Sequence, residues 1–545
     1  METRNYSLLL LSLFIGIFVG CLLFYNLNYY PPTLYNWENY PVWNIFQQKF
    51  NEPTISMTSY FQKADGLMTE SGISPIVGLP MYLIATNFDH TLEALRIWPA
   101  TLTLIGVLVF LLFISKVFGK KIGVLATILL GTSQGFLLYG RTATNVAPTL
   151  LAESVTVAII YYFLLKPKSL NLFLCTIAIT ISNYFFYAPI RFFTPILLFC
   201  IARYLFLHVT QLVNKNDVVI KHSDKFKLLL TGGLISILIL ISYFSKSLFL
   251  NYFHARGEQM FASITQQASS TYHIENPAKQ LSVNGIHYLK LLFSIDSKPV
   301  IIDYGNHYGQ MIHRALVPFF ILGFIVIVRE CKKKNGKYQL LIYWFLLTSL
   351  PILLTNNVHI GRLFLHLSPL YVIVAVGASK LTEEIIRKTK QFSRGEPLVK
   401  KIVSYSFLSI LVSAIVVSNI RAYFFTPPTI NHNIKVLQEN EAEYLSKTVY
   451  LINTETTTLH FWEVAFYLSN QIYFKDALTL EPLADVKNKN QLSEGYLFRT
   501  STSQDLLATV CDDSRSTLIL VGRNRISKLP ADLSSCQATT LLLYQ

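Results

Sequence analysis

The chain has 545 residues, of which 52% are hydrophobic and only 14% charged. With a mean hydropathy of +0.41, this excludes an ordinary soluble domain, in which about a quarter of residues are charged. A formal charge of +15 would suit a nucleic-acid partner, but the Lys and Arg residues fall in short loops between apolar runs. That is the pattern of membrane topology, so the chain reads as an integral membrane protein with no nucleic-acid partner.

Eleven apolar runs have about the length needed to cross a hydrocarbon core of about 30 Å. They lie near residues 7–27, 94–115, 122–139, 148–165, 170–187, 190–208, 228–247, 314–329, 339–355, 363–379 and 403–421. Alternate loops carry the positive charge: Lys116, Lys120 and Lys121; Lys166 and Lys168; Lys215 to Lys227; Arg329 to Lys337; and Arg387 to Lys401. By the positive-inside rule these loops are cytoplasmic, which places the N-terminus inside and the C-terminus outside. The first run continues to about Phe24 without a small-x-small cleavage site, and it reads as an anchor rather than a signal peptide.

The exterior loop 28–93 opens with TLYNWENYPVW, residues 33–43, where the isolated acid Glu38 stands beside Trp37 and Tyr40. A carboxylate among interfacial aromatic groups is placed for chemistry on a lipid-linked substrate. The loop closes on SGISPIVGLPMYLIATNF, an apolar segment broken by Pro75, Gly78 and Pro80 and read as interfacial. Next, LLYGRTATNVAPTLLAES sets Arg141, Asn145 and Glu153 near the outer ends of two spans. An acid inside a span is costly unless it faces a polar cavity or a partner. Arg141 is the natural partner of Glu153, and a helix–helix clip is the simplest role for the pair.

The turn SNYFFYAPIRFFTP carries Arg191, read either as a phosphate-binding fork or as an interface anchor. A second exterior loop, 248–313, holds the apolar stretch Ile286 to Ile295, suited to a helix lying on the membrane, and then DYGNHYGQMIHR with His307 and His313. In NNVHIGRLFLHLSPLY, His359, Arg362 and His366 stand three and four apart, so a helix would put them on one face. Such a cationic stripe suits a phosphate or pyrophosphate headgroup; snorkelling at the interface is the alternative.

After Thr426-Pro427-Pro428, β-prone runs at 449–453, 496–500, 516–522 and 539–544 alternate with helix-like stretches, which predicts a small α/β domain over 426–545. It carries no dinucleotide, P-loop or nucleophile-elbow motif. Cys511 and Cys536 share this exterior segment and form the one disulfide candidate; no Cys/His metal spacing occurs. The fold expected is therefore mainly α: a polytopic helical membrane domain, residues 1–425, with about eleven spans, and a small extracytoplasmic α/β domain.

Taken together, TLYNWENY, ISPIVGLPMYLIATNF with LRIWPATLTLIGVLVFLL, KKIGVLATILLGTSQGFLLYGRTATNVAP, GNHYGQMIHRALVPFFILGFIVIV and HIGRLFLHLSPLYVIVAVG resemble, in order, the GT-C membrane glycosyltransferases of the protein O-mannosyltransferase and aminoarabinose-transferase group. The resemblance implies transfer of a sugar from a polyprenyl-phosphate donor to a lipid, glycan or protein acceptor outside the membrane. That reaction needs a carboxylate at the acceptor, for which Glu38 is the candidate, and cations at the leaving phosphate, for which Arg141, Arg191, His359 and Arg362 are the candidates. Asn145, Glu153, His307 and His366 would support the site, and a divalent cation would assist the phosphate. The chain departs from the family at three places: Trp37-Glu38 stands for an Asp-Glu pair, Ser74-Pro75 for a Lys-Pro, and Asn145 for an acid. These departures keep open a catalytically silent binding or assembly subunit. A transporter is disfavoured, since the spans are mostly uncharged and the halves do not repeat.

Overall fold

The computed structural model describes residues 2–27, 77–78, 80–81, 83–84, 92–146, 148–165, 174, 178, 188–193, 196–200, 277–293, 311–354, 360–392, 397–425, 436–437, 439–440, 448–453, 496–497, 516–522 and 539–544. The apolar runs within them are helical: α1 (Glu2–Phe24), α2 (Leu92–Phe118), α3 (Lys120–Gly131), α4 (Gln134–Gly140), α5 (Thr149–Leu165), α6 (Pro277–Leu292), α7 (Val317–Lys332), α8 (Gly336–Leu353), α9 (Ile360–Phe392) and α10 (Pro397–Phe424). Short 3-10 turns span Ala188–Phe193 and Arg314–Leu316.

Among the described residues two helices are long and apolar enough to cross a membrane, Glu93–Phe118 and Phe364–Arg387, and a bent pair makes a third. The chain is a membrane protein by these helices. The runs expected near 170–187, 190–208 and 228–247 lie largely or wholly outside the described residues. The run expected as one span near 122–139 is instead broken, with α3 and α4 meeting at 68°. The cause is local. Thr132 Oγ1 returns to the Ile128 carbonyl at 2.7 Å, and Ser133, in extended backbone, starts a new helix by accepting the Phe136 N–H at 3.4 Å.

The α2–α3 connection is the single residue Gly119, at φ 102°, a conformation that L side chains rarely adopt. The α7–α8 connection closes as a Schellman motif: the Lys334 N–H meets the Cys331 carbonyl at 2.9 Å and the Asn335 N–H meets that of Glu330 at 3.3 Å. Its left-handed position is filled by Lys334, at φ 59°, where glycine is usual and another residue costs about 1–2 kcal/mol.

At the centre stands α9, whose residues 364–378 are buried without a break, as expected of a helix that is apolar all round. It crosses α7 at backbone contact. A Cβ on Gly323 would lie 2.0 Å from the Ile373 carbonyl oxygen, and one on Gly377 would lie 1.9 Å from that of Phe319. Small residues at such a crossing allow the close packing that holds membrane helices together. Beyond the buried run, α9 turns polar and is laced by Lys380–Glu383 at 3.4 Å and Arg387–Glu384 at 2.6 Å.

Toward the C-terminus four strands pair, β1 (Thr448–Asn453), β2 (Tyr496–Leu497), β3 (Ser516–Gly522) and β4 (Thr539–Tyr544), in the order β2-β1-β3-β4, all parallel. Near-continuous apolar strands such as STLILVG are those of a sheet buried on both faces. The direction of winding reverses between β1 and β3, which are in register from Thr448–Ser516 to Asn453–Val521. The chain divides into two units. One comprises Met1–Tyr25, Lys63–Val77 and Ile97–Pro427; the other comprises Asn26–Gln62, Gly78–Arg96 and Pro428–Gln545. Cys511 and Cys536 lie outside the described residues, and of the described cysteines Cys21 and Cys331 are free thiols.

Candidate functional site

Arg141, Thr142, Thr144, Asn145 and Thr149 are buried polar residues at one end of the helical unit, where α1, α4 and α10 finish and α5 and α9 begin. The rings of Phe136 and Tyr139 on α4 pack on Phe364 of α9, at centroid distances of 5.9 and 6.0 Å. Arg141 follows directly from α4 and is fully buried. Its guanidinium donates to the carbonyls of Leu22, Leu23 (3.1 Å) and Tyr25. The last carbonyls of a helix have no partner within it and carry partial negative charge, so a buried cation there answers both needs. The same guanidinium lies over the ring of Phe424, 5.0 Å from its centroid. Arg141 therefore fixes the point at which the chain leaves α1, at Tyr25, thirteen residues before Glu38.

Glu153, in the second turn of α5, is also fully buried. The structure gives it partners other than the Arg141 expected from sequence: Trp344 Nε1 donates to Oε1 at 2.7 Å and Ser368 Oγ donates to Oε2 at 2.9 Å. The pair foreseen as one ion pair is thus two separate fastenings. Arg141 holds the α1 terminus, and Glu153 joins α5 to α8 and α9.

His366 lies buried rather than on an outer cationic stripe. Tyr288 Oη of α6 is 2.7 Å from its Nε2, and Thr348 Oγ1 of α8 is 2.9 Å from its Nδ1. The Thr348 hydroxyl proton goes to the Trp344 carbonyl at 2.9 Å. Its oxygen therefore accepts from Nδ1–H, which leaves Nε2 to accept from Tyr288. The result is a directed chain from Tyr288 through His366 and Thr348 to the backbone of α8. Burial pushes the Tyr288 phenol above its ordinary range, consistent with a hydroxyl that donates. Asn284, one turn earlier on α6, donates to the Leu353 carbonyl at 3.0 Å, close to the end of α8.

Asn145 is buried beside the start of α5, its carbonyl accepting from Thr149 Oγ1 at 2.6 Å. Arg191 falls in the 3-10 turn Ala188–Phe193 and Arg362 in the first turn of α9. Glu38, His307 and His359 lie outside the described residues. Among the described residues no group of three or more His, Cys, Asp or Glu is arranged to hold a metal ion. Sequence reasoning missed Arg96, fully buried with Nη1 2.8 Å from the Leu27 carbonyl. A lone charge at the head of an apolar run was its signal. It also missed Trp344, Thr348, Ser368 and Tyr288, which carry no signal beyond being polar within apolar helices.

No protein-family model matches the chain, and no curated protein does. Solved structures do. The oligosaccharyltransferase of Archaeoglobus fulgidus tethered with an acceptor peptide containing the NVT sequon matches at 13% identity and TM-score 0.45, over 80% of this chain and 57% of that one. The apo form of the same enzyme matches at 13% identity and TM-score 0.43, over 81% and 58%. The chain thus spans just over half of the length of the archaeal enzyme. ArnT from Cupriavidus metallidurans in the apo state matches at 11% identity and TM-score 0.44, over 86% of this chain and 85% of that one. The matched structures are those of GT-C glycosyltransferases.

Proposed function

We propose that the protein is a membrane glycosyltransferase that moves a sugar from a polyprenyl-phosphate donor to an extracytoplasmic lipid, glycan or protein acceptor, with Glu38 as the carboxylate that takes the acceptor's proton. The ordered motifs of the sequence support this reading. The observation that carries it furthest is the ordered set of sequence motifs that begins with TLYNWENY, the segment bearing Glu38. A positioned general base contributes about 100-fold to 10,000-fold, and such a group has to be held in place to do so. Arg191, His359 and Arg362 remain the cations proposed for the donor phosphate, with a divalent ion as an aid. Arg141 is taken up by the backbone.

The test is transfer of labelled sugar from a polyprenyl-phosphate donor by the purified full-length protein, comparing the wild type with Glu38→Gln. A loss of roughly 100-fold or more at normal folded yield is expected. A second reading, a silent binding subunit, is favoured by one observation: Arg141 and Glu153, both expected at the site, serve helix packing. Donor binding without transfer by the wild type would establish it.

A further inference from the structure

The end of the helical unit away from the buried polar cluster holds a feature the transferase reading does not use. The α2–α3 turn carries Lys116, Lys120 and Lys121, and the α7–α8 turn carries Arg329, Lys332, Lys333, Lys334 and Lys337, against one acid, Glu330. The fold brings the two turns together. The Phe118 and Tyr338 rings meet edge to face at 5.7 Å, and the Lys337 ammonium lies 5.8 Å from the centroid of one and 5.1 Å from that of the other. Lys116 lies 5.1 Å from the ring centroid of Tyr162, near the end of α5. Lys116, Lys121, Arg329, Lys332, Lys333 and Lys334 are exposed. Glu330 pairs with its neighbour Lys333, at 2.7 Å. Lys334 sits on left-handed backbone at φ 59°, where glycine would close the turn more easily, so the exposed charge is placed at the expense of local conformation.

We propose that these two turns together form a binding site for the headgroup of an anionic phospholipid. The location selects the occupant. The membrane-crossing helix Glu93–Phe118 ends at this point, and Phe118, Tyr162 and Tyr338 are rings of the kind that settle at the headgroup level. Clustered lysines immediately outside a membrane helix attract anionic lipid. The site does not depend on the transferase reading.

The experiment follows thermal unfolding of the full-length protein in detergent during titration with phosphatidylglycerol or phosphatidylcholine. Phosphatidylglycerol should raise Tm saturably and phosphatidylcholine should not. K332Q/K334G should weaken the phosphatidylglycerol midpoint about 25-fold, roughly fivefold for each lysine. Glycine suits the backbone at 334, so this variant should unfold no earlier than wild type without lipid, which separates lost binding from misfolding. K279Q/K290Q on α6 should keep the wild-type midpoint. The proposal is overturned if both lipids act alike, if K332Q/K334G keeps the wild-type midpoint, if K279Q/K290Q weakens it as much, or if inorganic phosphate at equal concentration reproduces the rise in Tm.

Discussion

The Trp344 indole N–H is bound to Glu153 Oε1 at 2.7 Å across 191 residues of sequence, and it ties α5 to α8 in the interior of the helical unit. The carboxyl's other oxygen receives the Ser368 hydroxyl at 2.9 Å. Removing one member of such a set leaves buried groups unpaired, at about 1–3 kcal/mol each. Glu153→Ala should therefore lower stability by about 3 kcal/mol or more, whereas Glu153→Gln, which keeps an acceptor, should cost less. A double-mutant cycle with Trp344→Phe in thermal unfolding should return a coupling of about 0.5–3 kcal/mol. Additive effects would show that the bond contributes nothing.

Arg141→Lys should behave as a folding defect rather than a binding defect. An ammonium lacks the planar fork that reaches the Leu22, Leu23 and Tyr25 carbonyls together. A loss of about 2–3 kcal/mol is expected, with faster proteolysis just after α1. If donor affinity fell while folded yield and proteolysis stayed as in wild type, Arg141 would be a substrate contact after all.

His313 caps the turn that opens α7 by accepting the Ala315 N–H on Nδ1 at 3.2 Å, a bond only the neutral ring can make. Burial, then the neighbouring Arg314 charge, hold its pKa below the ordinary 6.5. The folded value lies below the unfolded one, so the unfolded chain takes up the proton more readily. This stability is complete above about pH 6.5 and is lost as pH falls from there through the folded value. Unfolding midpoints measured from pH 7.5 to 5 should fall by an amount equivalent to about 0.5–2 kcal/mol, the usual worth of a cap. His313→Asn, which caps without titrating, should flatten that part of the profile.

How much of this was legible in sequence depends on the range of the interaction concerned. Apolar length gave the helices around 94–115, 363–379 and 403–421, and β-prone runs coincide with strands at 449–453, 516–522 and 539–544, because both signals are local. The break at Thr132-Ser133 was missed since hydropathy does not register a hydroxyl returning to a carbonyl. The partners of Arg141, Glu153 and His366 were missed for a different reason. Each reaches across helices to groups dozens to hundreds of residues away, and spacing along one helix says nothing about which face a neighbour will cover. His366 shows this: its place in the helical spacing did not tell an inward face from an outward one.

The α7–α9 crossing tolerates no side chain at its contact. Gly377→Ala would set a Cβ against the Phe319 carbonyl oxygen and Gly323→Ala one against that of Ile373, both near 2 Å before any shift. Either change should cost about 1–3 kcal/mol or more by overpacking, read as a drop in Tm. Because both relieve the same crossing, the double variant should cost less than the sum of the two.

Tyr288→Phe tests whether hydrogen bonds hold α6 to the helical unit. The substitution leaves His366 Nε2 without its 2.7 Å donor in a buried place, at about 1–3 kcal/mol. Leu291 and Leu292 remain buried against the same surface, so α6 should open locally rather than bring down the core. Amide exchange across residues 277–292 should quicken by about 10-fold, the equivalent of about 1.4 kcal/mol, while residues 364–378 keep their protection. His366→Ala removes the other end of the same bond, so the double variant with Tyr288→Phe should quicken α6 exchange by less than the two single changes added together. If exchange in α6 stays at the wild-type rate while Tm falls, the apolar contacts of Leu291 and Leu292 hold the helix and the Tyr288–His366–Thr348 chain stiffens only α8 and α9.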